Sequence, residues 1–155
     1  MSSQHRRSRG RFLAATLLAL YSLSLAFILL NPSPALPEDV VSRAQEALAS
    51  LFGSPSLVGG KRVEFALNLL MFIPVGILVP LVAPRLNWRD VTVIALLASA
   101  GVEIYQGVFL IDRSAEFGDV VANTLGCTVG ALMVAAFEWL RGVRPKGEAN
   151  PQEQG

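Results

Sequence analysis

Three pairs of polar side chains interrupt long apolar runs in this chain, at spacings that place each pair on one helix face. Glu64 and Asn68 are four apart, Glu103 and Gln106 three apart, and Asp119 and Asn123 four apart. Arg113 lies between the second and third pairs. A guanidinium among carboxylates and amides offers charge-assisted hydrogen bonds to a phosphate or carboxylate. Glu103 with Asp119 would supply paired carboxylates for acid–base work. The amides of Asn68, Gln106 and Asn123 would orient a ligand, or else stitch helices together. Glu103 is the sharpest of these, because a carboxylate in mid-membrane costs about 2.5–3.5 kcal/mol.

Other chemistries lack their parts. The chain has one histidine, His5, and one cysteine, Cys127. Haem ligation and thiolate or His-rich metal centres therefore lack ligands, and no metal or cofactor is expected. No Ser–His or Cys–His pair falls in the apolar runs. Ser99 precedes Glu103 by four residues, but a lone carboxylate is an unusual base for a serine.

The elements that must position these groups follow from composition. Of 155 residues, 52% are hydrophobic and 16% charged, which points to a membrane protein of one domain rather than a soluble one. With a net charge of +1, no nucleic-acid partner is expected. Four runs are long enough to cross about 30 Å of hydrocarbon: about 12–30, 63–82, 91–110 and 120–140. Between the first two, Val41, Ala44, Leu48 and Leu51 recur at helical spacing. That predicts an amphipathic helix at about 38–52, lying on the membrane surface or capping the bundle. The expected fold is thus all-α, a polytopic four-helix membrane domain over 12–140, with a basic tail over 1–11 and a disordered tail over 141–155.

Arginine and lysine placement sets the orientation. Arg6, Arg7, Arg9, Arg11, Arg85, Arg89, Arg141, Arg144 and Lys146 all fall on one side of a four-span topology, which predicts both termini in the cytoplasm. Trp88 and Trp139 fall at that boundary too. A cleaved signal peptide ending at "SPA" (33–35) is the competing reading of the first span, but its apolar core exceeds the usual ~7–15 residues.

Residue counting also gives depth. Glu103 falls ~4 Å outward of the membrane centre, and Asn68 and Asn123 roughly 7–10 Å outward. Polar groups at such depths face the bundle interior or a wet cavity. One pocket open to the outside would collect all of them. Pro74 and Pro80 predict a kinked second span. Gly126 and Gly130 form G-x-x-x-G, which permits close helix approach, within the chain or in a homodimer.

The segments "NLLMFIPVGILVPL" and "EIYQGVFLIDRSAEFGDVVANTLGCTVG" closely resemble the VanZ-like family of bacterial membrane proteins. Asn68, Phe72, Pro74, Gly76 and Pro80 carry the likeness in the second span. Glu103, Gln106, Arg113, Asp119, Asn123, Thr124, Gly126 and Gly130 carry it further on, while Glu116 departs from the small polar residues common at its position. The resemblance implies a multi-pass protein of the bacterial plasma membrane. It also implies an association with resistance to the glycopeptide antibiotic teicoplanin. The expected partners are the lipid bilayer and a lipid-linked wall precursor or lipophilic glycopeptide. The competing readings are an intramembrane enzyme, and a scaffold whose polar residues are interhelical glue.

Overall fold

The computed structural model describes residues 2–30, 35–52, 59–110 and 116–142, with side chains for 8–30, 39–50, 59–110 and 116–142. The Pro-rich segment 31–34, the loop with Asp112 and Arg113, and the tail 143–155 lie outside the described residues. All regular structure among the described residues is helical: α1 (Ser2–Leu29), α2 (Ala35–Phe52), α3 (Gly60–Val82), α4 (Trp88–Phe109) and α5 (Phe117–Leu140). Of these, α1, α3, α4 and α5 are long and apolar enough to cross a membrane.

Local sequence accounts for the boundaries. α1 continues through the basic segment because arginines are good helix formers and nothing there breaks the backbone ladder. α2 starts before Pro37, which falls in its first turn, where a missing N–H leaves no bond unmade. α3 ends at Val82, just ahead of Pro84. α4 then opens on a capping box. The Asn87 side chain accepts from the Arg89 and Asp90 N–H groups, and Asp90 accepts from the Asn87 N–H. At α5 the cap position belongs to Glu116, with no side-chain cap bond. Asp119, a natural capping residue, falls instead in the first turn.

The tightest contact joins α3 to α5, which run parallel. A Cβ on Gly126 would collide with the Leu69 carbonyl, one on Gly130 with the Ile73 carbonyl, and one on Gly76 with the Cys127 carbonyl. Three glycines therefore bring two backbones together. Without a hydrophobic drive between helices in lipid, such van der Waals contact is what holds a bundle. α4 packs antiparallel on α5, where the Thr92 and Thr128 hydroxyls lie 2.9 Å apart. The core around Val91, Cys127 and Ala131 is built of small side chains.

α1 leans on α3, antiparallel, through donors on its side chains. Tyr21 donates to the Met71 carbonyl at 2.8 Å, in the turn that the Pro74 ring crowds. Arg11 donates to the carbonyl of Val82, the last residue of α3, at 3.1 Å. Arg11, Trp88 and Trp139 share this basic end. The half-buried side of α2, including Val41, Ala44 and Leu48, turns toward the start of α3. Outward-facing Leu20, Leu23, Phe27, Leu97, Ile104, Val108 and Leu132 make an apolar belt suited to hydrocarbon.

Candidate ligand site between the helices

The polar residues singled out by spacing separate into two tiers at the end of the bundle opposite the basic end. Glu103, Gln106 and Asn123 are 6%, 3% and 2% exposed, so all three are withdrawn from the lipid-facing surface. In the upper tier, Glu103 Oε2 accepts from the backbone N–H of Glu116 at 2.7 Å. Glu116 is the cap residue of α5, so the carboxyl sits at the positive end of that helix. Gln106 Nε2 donates to the Leu29 carbonyl at 2.7 Å. Leu29 ends α1, and its carbonyl lacks a donor within the helix. Both residues therefore tie down helix ends.

The lower tier is Ser99 with Asn123. Asn123 Nδ2 donates to Ser99 Oγ at 3.1 Å, and Asn123 Oδ1 has no partner among the described residues. This order reverses the depths obtained by counting, which put Asn123 outward of Glu103. Counting assumes that the midpoints of all spans lie at one level. Glu103 lies six residues before the end of α4, about 9 Å along the helix, and the start of α5 comes down toward it. α5 is sunk by more than a turn, which carries Asn123 inward to Ser99.

A cavity of about 240 Å³ adjoins the lower tier. It runs between α1 and α4 over a floor of α3 and α5, and its wall is apolar except for Ser22, Ser99 and Asn123. Cys127 lies on the floor, one turn from Asn123. Of the residues marked by spacing, Asn123 alone lines this cavity. Glu103 and Gln106 sit above it, Asn68 is half-buried on α3, and Asp119 is half-buried at the start of α5. Arg113 lies outside the described residues. Ser99 and Cys127 gave no sequence signal as cavity residues. Serine alone marks nothing, and a cysteine of this burial reads as a packing residue.

Glu116 was also missed as a connector. Its backbone serves Glu103, while its carboxylate lies 3.3 Å from Lys61 Nζ at the start of α3. Lys61 is largely exposed, so the ion pair itself adds little.

The Gln106 bond carries a direct prediction. Gln106→Leu should leave the Leu29 carbonyl without its donor and loosen the end of α1. The expected sign is amide exchange about three- to fivefold faster in the last two turns of α1, with α3 and α5 unchanged. Unchanged exchange there would mean that packing alone secures this end.

Four apolar helices enclosing buried carboxyl and amide groups define a multi-pass membrane protein with an intramembrane cavity. The chain matches the family model described as VanZ/LLP1 over residues 15–138 and belongs to that family. It is 29% identical over 121 residues to Protein VanZ of Enterococcus faecium, covering 78% of this chain and 73% of that relative. No solved structure matches.

Proposed function

We propose that this chain is a plasma-membrane protein, both termini cytoplasmic, that binds a lipid-linked or lipophilic ligand among α1, α4 and α5. By doing so it lowers susceptibility to glycopeptides such as teicoplanin. The observation that carries the reading is Asn123, an amide almost wholly buried on a lipophilic cavity wall, its oxygen unpartnered among the described residues. A buried amide left half-satisfied costs about 1–3 kcal/mol, and a ligand that completes its hydrogen bonds recovers that. The basic residues at the opposite end support the orientation, in which Ser99 and Asn123 lie near mid-membrane with Glu103 and Gln106 on their outer side. Similarity to Protein VanZ of Enterococcus faecium supports the glycopeptide connection.

A second reading has an observation of its own. Glu103 and Gln106 both bind backbone groups at helix ends, which is what structural glue does. On that reading the polar residues hold a scaffold and no ligand enters.

Teicoplanin susceptibility of a sensitive host separates the two. Wild type should raise the inhibitory concentration severalfold, and Asn123→Leu should return it to the vector level at equal membrane abundance. Equal protection by both would remove the pocket from the function and favour the scaffold. Lack of protection by wild type would remove the glycopeptide connection itself.

A further inference from the structure

The cavity has a shape and a polarity that together narrow its occupant. Its α4 wall extends from Val91 to Val102, about 16 Å at the helical rise, while its volume is about 240 Å³. An engineered apolar cavity of ~150 Å³ accepts a benzene ring. A space only modestly larger, drawn out along a helix axis, is a slot. It suits an extended chain lying parallel to the helices rather than a ring or a head group. Ala26, Ala95 and Ala98 keep the slot open where α1 and α4 face each other.

Polarity adds the second constraint. Asn123 Oδ1 is an unfilled acceptor, and Ser99 accepts from Asn123 while making no other hydrogen bond among the described residues. The Ser99 hydroxyl proton is therefore available as a donor. Besides the second Asn123 N–H, the pair offers an unfilled amide oxygen and a hydroxyl proton side by side. Turning the Asn123 amide over exchanges the two roles: its N–H groups would then sit beside a free hydroxyl lone pair. A secondary amide, with one N–H and one carbonyl, satisfies either arrangement. An ester or a tertiary amide has no N–H and leaves one buried group unmatched.

We propose that the slot between α1 and α4 holds a single linear acyl chain attached through a secondary amide, with that amide seated on Ser99 and Asn123. The chain extends from there toward Val79 and Val91, and the polar remainder of the ligand lies toward Glu103 and Gln106. This inference rests on the ligand-binding reading above and specifies the ligand's linkage. Cys127, the sole cysteine, supplies a reporter, because its buried thiol becomes reactive to a fluorogenic maleimide when the bundle unfolds.

The experiment titrates the full-length protein in lipid nanodiscs with N-dodecanoylglycine, and separately with N-dodecanoylsarcosine, following the thermal midpoint. The two probes share chain and carboxylate and differ by one N-methyl group that removes the N–H. N-dodecanoylglycine should raise the midpoint by several degrees, and N-dodecanoylsarcosine should need about tenfold more for half the effect. Asn123→Leu should abolish this discrimination, as should Ser99→Ala, a smaller change suited to the case in which the leucine variant does not fold. Equal half-saturation by both probes would overturn the amide assignment while leaving a lipophilic pocket in place. No shift with either would overturn the assignment and the pocket together. Discrimination persisting in both variants would place the amide elsewhere and overturn the proposal.

Discussion

Gly126→Ala is expected to destabilise the bundle by about 3 kcal/mol, roughly a hundredfold in the folding equilibrium, although it adds one methyl group. The position of that methyl decides the magnitude. It would overlap the Leu69 carbonyl oxygen and press on Phe72 Cβ, and both belong to the facing helix α3. A side chain can rotate away from an intruder, but a backbone carbonyl already bonded within its helix cannot. The α3–α5 pair would have to separate, and the contacts at Gly76 and Gly130 would open with it. Gly101→Ala is the matched control. Gly101 lies exposed on α4 with nothing near an added Cβ, so alanine there should be neutral or stabilising by up to about 1 kcal/mol through helix propensity. Thermal unfolding followed through the buried Cys127 thiol reads both variants. If Gly126→Ala melted like wild type, the close α3–α5 approach would not hold the fold together.

The second large effect belongs to Glu103, whose depth poses the question of how a carboxylate is tolerated there. The structure answers with the Glu116 N–H, at the positive end of α5 and 2.7 Å away. Glu103→Leu removes the acceptor and leaves this donor half-buried at the start of α5, a loss of about 1–3 kcal/mol. Glu103→Gln keeps a carbonyl oxygen in the same place and should lose less than about 1 kcal/mol, since the bond from the Glu116 N–H stays and loses its charge assistance. Amide exchange at Glu116 and the thermal midpoint should thus rank wild type, Gln and then Leu, with Gln close to wild type. If Gln proved as damaging as Leu, the charge rather than the hydrogen bond would be what Glu103 contributes. Read with antibiotic susceptibility, the same pair separates structure from function. A Gln variant that folds normally but does not protect would make the ionisable group part of the protective chemistry.

Much of the architecture was legible because lipid imposes strict rules on sequence. A segment that crosses hydrocarbon must be helical and about 20 residues long, so four apolar runs became four helices with little ambiguity. α2 followed from the spacing of Val41, Ala44 and Leu48. Spacing also marked Glu103, Gln106 and Asn123 as polar groups withdrawn from lipid, since lipid exposure would be too costly for them. Relative depth was not legible. It depends on how far α5 sinks beside α4, and residue counting sets the midpoints of all spans at one level. The roles of Ser99 and Cys127 were hidden for a related reason, because small residues announce nothing until four helices surround them.

Sequence alone settled which segments are helical and which side chains avoid lipid, because both follow from the local cost of exposing polar groups to hydrocarbon. It left open whether the Gly126 and Gly130 stripe faced another chain or this one. The tertiary structure turned both glycines onto α3, lowered the start of α5 to the level of Glu103, and brought Asn123 against Ser99 on a lipophilic wall. Those outcomes rest on which backbones can approach closest, a property of pairs of helices that no single helix encodes.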